Sequence, residues 1–337
     1  MAVRNANGPP FARKTDPRQC RSPPPGRPGR TTERIRLGKT LVGALVRKKS
    51  VFHRSLRGSW QHRRVTPFRN ESTPAELAAD LAALGVRHGD TLMVHASLRA
   101  LGPVEGRASG VVDALDAAVG PDGTLMMTLG ARNDFEWVNE RPEEEREALL
   151  ADAEPFDVLR TPAQPDVGYL AEAFRTRAGT KVTDHPEGRF GARGARAEEL
   201  LAEPPWHDYY GPGSPLERFH RHGGRVLRLG ASIETVTLLH FAEYLAPLAE
   251  KRRTRRHRRV RRSDGSAVTM HVDCLDDEHG IVDYPDGDYF GFLLHDYLAT
   301  GQSRAGTVGR AHSELIEAPD LLEFAVRWMS EKLGART

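Results

Sequence analysis

Residues 91–128 read TLMVHASLRALGPVEGRASGVVDALDAAVGPDGTLMMT. Thr91–Ala96 (TLMVHA) is an apolar run of strand length that ends in polar residues, the pattern of a buried strand. Gly110–Val119 (GVVDALDAAV) reads as a helix, and Thr124–Thr128 (TLMMT) as a second buried strand. The alternation continues outward. Upstream, Thr73-Pro74-Ala75-Glu76 is a capping box with proline at the first helical position, and the helix LAADLAAL stops at Gly85. Downstream, Asp166–Ala178 is predicted as a helix closed by Gly179. Ser214-Pro215-Leu216-Glu217 repeats the capping pattern and opens a helix ending at Gly223-Gly224. Arg225–Leu229 (RVLRL) reads as a strand, and Thr235–Leu245, Asp288–Ala299 and Pro319–Leu333 as helices. Strands alternating with helices imply a layered α/β/α domain.

Three stretches break this rhythm. Residues 131–165 are polar and proline-containing, so a long functional loop with some helix (PEEEREALLADA) is expected. Arg256–Asp273 alternates around Asp264-Gly265, a hairpin signal. Both of its strands carry charge, so it is expected at an exposed edge, with the arginines of Lys251–Arg262 (KRRTRRHRRVRR) on a solvated face. Residues 1–70 hold 18 Lys/Arg, 2 Asp/Glu and 8 of the 23 prolines. Low hydrophobicity with high net charge argues against a packed fold there. The expected organisation is a basic, disordered extension over 1–70 and one folded domain over 71–337.

Charge and composition narrow the function. The net charge of +3 divides into +16 for residues 1–70 and −13 for the rest. An acidic body attracts cations and repels nucleic acid. No run of about 18 apolar residues exists, so no transmembrane helix is expected. Two cysteines, Cys20 and Cys274, exclude a disulfide-stapled scaffold and a cysteine-rich zinc module; a reducing cytoplasm is the expected location.

Three constellations carry candidate chemistry. Met93–Arg99 (MVHASLR) is the polar end of a strand followed by a loop and helix, where open α/β sheets gather ligands; N–H groups and hydroxyls there suit a phosphate or a pantetheine amide. Thr183-Asp184-His185-Pro186 forces His185 into extended backbone, so its ring can project from a loop into a cleft and accept a proton. His240-Phe241-Ala242-Glu243 sets His240 and Glu243 on one helix face, where a buried carboxylate could hold a catalytic imidazole or a cationic substrate. No P-loop, His-Glu-x-x-His, clustered Cys/His set or Gly-x-Ser-x-Gly elbow occurs, so neither a P-loop kinase nor a zinc site is indicated.

From about Thr73 to Gly334 the chain resembles the aminoglycoside 3-N-acetyltransferase family of antibiotic N-acetyltransferases. The segments GDTLMVHASLRALGPVEG, TPAQPDVGYLAEAFRT, DHPEGRFGARG, YYGPGSPLERF, RVLRLGASIETVTLLHFAEY and VGRAHSELIEAPDLLEFAVRWM carry the likeness, in order. The resemblance implies this family's own three-layer α/β/α fold, distinct from the smaller acetyltransferase fold, and acetyl-CoA as co-substrate without a metal. It implies that Val94, His95, Ser97, Leu98 and Arg99 line the acetyl-CoA groove and that His185 is the general base. Glu243 orients the base or binds substrate amines, and Asp166 is a weaker substrate-side carry-over. Departures from the family pattern include Asp184, Gly188-Arg189, Gly191 and Phe241; Arg189 would add positive charge beside the base.

The expected reaction is direct attack of a 3-amino group of a 2-deoxystreptamine aminoglycoside on the acetyl thioester. His185 takes the proton, Glu243 or Asp184 fixes its tautomer, and N–H groups near Ser97 or Gly102 receive the oxyanion. Two alternatives stand beside it: a same-fold enzyme acting on another amine metabolite, and nucleic-acid binding through the basic arm.

Overall fold

The computed structural model describes residues 71–285 and 288–334. The basic extension expected over 1–70 lies outside the described residues. Leu92, Met93 and Val94, all buried, begin the chain's central strand, β1 (Thr91–Ala96). It is preceded by α1 (Pro74–Leu84). The Thr73 Oγ1 accepts the Glu76 N–H, the Glu76 carboxylate accepts the Thr73 N–H, and Gly85 closes the helix at φ 111°.

Then come α2 (Leu98–Leu101), α3 (Arg107–Val119), β2 (Thr124–Thr128), α4 (Glu143–Leu149) and α5 (Tyr169–Arg175). They are followed by β3 (Lys181–Val182), β4 (Phe190–Gly194), α6 (Ala197–Leu201), α7 (Pro215–Arg221), β5 (Arg225–Leu229) and α8 (Leu238–Leu245). The chain closes with β6 (Arg253–Arg261), β7 (Ala267–Leu275), α9 (Tyr289–Ala299), β8 (Arg304–Val308), β9 (Ala311–Glu317) and α10 (Ala318–Leu333).

Seven strands form one sheet in the order β3-β4-β2-β1-β5-β9-β8. The central three, β2, β1 and β5, are parallel, and the outer pairings are antiparallel. Successive strand residues face opposite sides, so the sheet separates two cores. Leu92, Val94, Leu125, Met127, Leu227 and Leu229 pack against α1, α3 and α5. Met93, Met126, Val226 and Ile316 pack against α6 to α10. The fold is therefore a three-layer α/β/α sandwich.

The chain leaves β1 toward β2 on one side and returns to β5 on the other. Such a reversal opens a crevice beyond the carboxyl ends of the parallel strands.

Three sequence expectations change. The helix expected from Asp166 is interrupted: Pro165–Val167 forms one 3₁₀ turn, Gly168 breaks it at φ 89°, and α5 starts at Tyr169. The helix expected from Thr235 begins at Leu238. The hairpin pairs β6 with β7 as its own two-stranded ribbon, and alternate arginines, Arg256 and Arg258, are buried rather than solvated. Of the others, Arg253 pairs with Asp208, Arg255 with Asp273 and Glu143, and Arg261 with Glu154 and Asp157. These arginines are thus partnered by the protein's own carboxylates, unlike a stripe prepared for phosphates. No helix among the described residues is long and apolar enough to cross a membrane.

Candidate active site

A cleft of about 730 Å³ occupies the crevice beyond the parallel strands. Its lining includes the end of β1 with Ser97, Leu98 and Arg99, the end of β2, the turn from Asp166 to Ala171, and Ala231–Thr237 after β5. All five residues expected on the donor groove, Val94, His95, Ser97, Leu98 and Arg99, line it. Ser97 caps α2 by accepting the Ala100 N–H at 3.2 Å, and its own N–H is spent on the Leu229 carbonyl at 3.0 Å. That N–H is therefore not free for an oxyanion, and Gly102 lies outside the cleft lining. Burial, reinforced by the Arg228 guanidinium, holds the His95 pKa down to about 3, so the ring is neutral. Its Nε2 is buried with no hydrogen-bond partner among the described residues. A polar atom left in this way fits a cleft whose polar ligand would complete it.

A second cavity, of about 640 Å³, adjoins the first. Glu234, His240 and Phe290 line both. Its wall carries six carboxylates: Glu234, Glu243, Asp277, Glu278, Asp283 and Asp288. Like charges at this density favour a polycation.

His240 stands where the cavities meet. Its ring stacks on Tyr210 (5.0 Å between centroids, 11° between planes) and against Phe290 (4.9 Å). Nδ1 bonds the Glu243 Oε2 at 2.8 Å, which leaves Nε2 for a ligand. Glu243 is 1% exposed, and its other oxygen accepts the Tyr289 hydroxyl. Burial opposes charge on His240, but Glu243, through charge and hydrogen bond, together with Asp277 and Asp288, raises its pKa above the ordinary histidine value. An imidazole oriented at one nitrogen by a buried carboxylate, with the other facing a cavity, is the arrangement of a general base.

His185 is placed otherwise, and the base role expected of it is not supported by its surroundings. The ring is 1% exposed and lines neither cavity. Its Nδ1 accepts the N–H groups of Glu187 (3.1 Å) and Gly188 (2.7 Å), and Nε2 donates to the Trp206 carbonyl at 2.8 Å. Trp206 and Tyr209 pack on it at 4.9 and 5.1 Å. Burial holds its pKa down to about 4. The X-Pro segment turns back on itself, and its own N–H groups capture the ring.

Asp184 is exposed and lines neither cavity, so it orients no base. Arg189 does not face the site either. It is fully buried, donates to the carbonyls of Thr161 (2.8 Å) and Val158 (2.5 Å), and lies over the Phe156 ring. Asp166 lines the first cleft and not the acidic cavity. Cys274 is buried rather than exposed, and burial pushes its thiol up to about 12, so it is no nucleophile.

Sequence reasoning named His240 only as a partner of Glu243, and it missed Tyr289, Asp277, Asp288 and Glu234. The available signal was a glutamate three residues after a histidine within the otherwise apolar LLHFAEYL. Among the described residues, His207, His271 and Asp273 lie close enough to share a cation. Two of the three have ligand atoms committed elsewhere: His207 Nδ1 accepts the Asp273 N–H at 3.0 Å, and both Asp273 oxygens accept from Arg255 at 2.7 and 3.1 Å.

A family model for aminoglycoside 3-N-acetyltransferases matches residues 93–330. The chain belongs to the aminoglycoside 3-N-acetyltransferase family. It is an acetyltransferase, and acetyl-CoA is its co-substrate. Aminoglycoside N(3)-acetyltransferase VII of Streptomyces paromomycinus is 42% identical over 272 residues, covering 78% of this chain and 93% of that one. Among solved structures of aminoglycoside acetyltransferases, AAC-IIIb in binary complex with CoASH superposes with a TM-score of 0.73 at 37% identity, covering 77% of this chain and 97% of that one. AAC-VIa bound to sisomicin gives a TM-score of 0.70 at 35% identity, covering 78% and 98%.

Proposed function

We propose that the enzyme transfers acetyl to the 3-amino group of a 2-deoxystreptamine aminoglycoside, with His240 as general base. The observation that carries this reading is the His240–Glu243 pair at the junction of a donor cleft and a carboxylate-lined cavity. Relatives support the substrate class: AAC-VIa binds sisomicin in its solved structure.

The donor side is assigned to the β1 end. Val94, His95, Ser97, Leu98 and Arg99 hold acetyl-CoA, with the unpartnered His95 Nε2 as one polar contact. Bound there, acetyl-CoA supplies a thioester carbonyl as electrophile. The acidic cavity concentrates the polyamine but also favours its charged form. His240 Nε2 therefore takes the proton that the amine sheds, Glu243 stabilises the imidazolium at Nδ1, and the imidazolium returns that proton to the departing CoA thiolate as the C–S bond breaks. Thr128 Oγ1 donates to Thr237 Oγ1 at 2.9 Å, and both line the cleft, so the Thr237 O–H is available as a donor there. A donor so placed stabilises the oxygen that gains charge, worth about 3 kcal/mol.

Residues 71–337 are proposed as the acetyltransferase domain. A chain truncated to them is expected to acetylate at the full-length rate; loss of activity on truncation would assign the basic arm a part in the site. A thiol-release assay with acetyl-CoA and a panel including sisomicin tests the whole reading. Release dependent on an aminoglycoside is expected, and release only with unrelated amines would redirect it.

A further inference from the structure

In a strand, alternate side chains face opposite sides, and β6 uses this to aim Arg256 inward while its neighbours stay at the surface. A buried guanidinium is costly unless paired. Arg256 Nη1 lies 2.5 Å from Asp277 Oδ1 and donates to the Tyr209 hydroxyl at 2.8 Å. That hydroxyl donates in turn to Asp277 Oδ2 at 2.9 Å. The Asp277 carboxylate is thus hydrogen-bonded at Oδ2 by Tyr209 and ion-paired at the buried Oδ1 by Arg256. Its face belongs to the acidic cavity, alongside His240, Glu243 and Asp288. Arg256 itself does not line that cavity, so it reaches the substrate through the wall carboxylates it pairs with, chiefly Asp277 and at longer range Glu278, whose Oε2 lies 3.7 Å from Nη2.

We propose that Arg256 is a positioning residue for the amine side of the reaction. Together with Tyr209 it fixes the Asp277 carboxylate in the cavity wall, where it receives a substrate ammonium next to the one being acetylated. The inference rests on the functional reading above. A carboxylate held in one orientation binds an ammonium without first losing its own rotamer freedom. The Arg256 guanidinium also offsets part of the repulsion among the six clustered carboxylates. The arginine run that looked like a solvated face then has a purpose at one of its inward positions.

The test is steady-state kinetics on the full chain, with sisomicin and acetyl-CoA as the two varied substrates. Arg256→Gln is expected to raise the KM for sisomicin about tenfold while the KM for acetyl-CoA stays within about twofold. Arg256→Lys keeps one point charge and is expected within about threefold of wild type. Asp277→Asn should reproduce the rise, and the double variant should fall well short of the product of the two single effects, because Arg256 acts mainly through Asp277. An unchanged sisomicin KM in Arg256→Gln overturns the proposal. So does a parallel rise of both KM values, or a double variant that shows the product of the two single effects. Should Arg256→Gln fail to fold, Tyr209→Phe removes one anchor only; a sisomicin-specific rise of about threefold supports the proposal, and none overturns it. A wild-type chain inactive on every aminoglycoside overturns the functional reading and this proposal together. An active wild type with an indifferent Arg256→Gln overturns the proposal alone.

Discussion

His240→Ala is expected to lower kcat roughly 100-fold or more, with the KM for acetyl-CoA within about twofold of wild type. The size follows from geometry. The ring is held at Nδ1 by Glu243 and stacked on Tyr210, so Nε2 has a single orientation toward the cleft. Removing it leaves the amine near its electrophile with no proton acceptor of suitable pKa. Glu243 does not substitute, because its buried carboxylate lines the acidic cavity and not the donor-side cleft, and one of its oxygens stays bonded to Tyr289. Thiol release at saturating substrates measures the loss. An unaltered kcat would mean that the proton leaves by another route.

The opposite pattern is expected for His185→Ala, a large cost in stability with kcat per folded molecule within about fivefold of wild type. Truncation strands the Glu187 and Gly188 N–H groups and the Trp206 carbonyl, and opens a void between Trp206 and Tyr209. Unsatisfied buried groups and a cavity together cost on the order of 3–5 kcal/mol. For a domain of this size that is a fall in Tm of roughly 10 °C.

A pH signature accompanies it. The folded ring has a pKa of about 4, against about 6.5 in the unfolded chain. Between those values the unfolded chain binds the extra proton. Stability is therefore full above the higher value and declines as pH falls toward the lower, by on the order of 3 kcal/mol. Thermal melts across this range should show the decline in wild type and a shallower one in His185→Ala. Equal slopes would deny His185 its buried, neutral state.

The contrast between these two histidines shows where sequence reasoning reaches and where it stops. Strands β1, β2 and β5 match their expected bounds: β1 and β2 are near-continuous apolar runs, and β5 (RVLRL) is buried throughout, its Arg225 and Arg228 paired with carboxylates. Strand β4 (FGARG) and strand β9 (AHSELIE) carried no such signal: one is half glycine and polar, and the other mixes charge with apolar residues at the sheet's outer side. The cleft lined by Val94–Arg99 was legible, since a crevice beyond a strand end follows from topology. The base was not. Local sequence suggests that a histidine before proline projects outward, but only the path of Glu187 and Gly188 reveals that the backbone encloses it. The acidic cavity was legible as an overall charge and not as residues, because Asp277 and Asp288 stand at opposite ends of the β7–α9 connection and Glu234 follows β5, positions that share no recognisable spacing. The broken helix at Gly168 was hidden by an amphipathic pattern that ran through it.

The pH dependence of single-turnover acetylation in wild type and Glu243→Gln tests the role of His240 most directly. In wild type the rate should fall on the acid side with a midpoint above the ordinary histidine value, because Glu243 favours the imidazolium. Removing that carboxylate's charge should slow the reaction and move the midpoint to lower pH. An acid limb that stays in place in Glu243→Gln, at an undiminished rate, would contradict His240 as the proton acceptor.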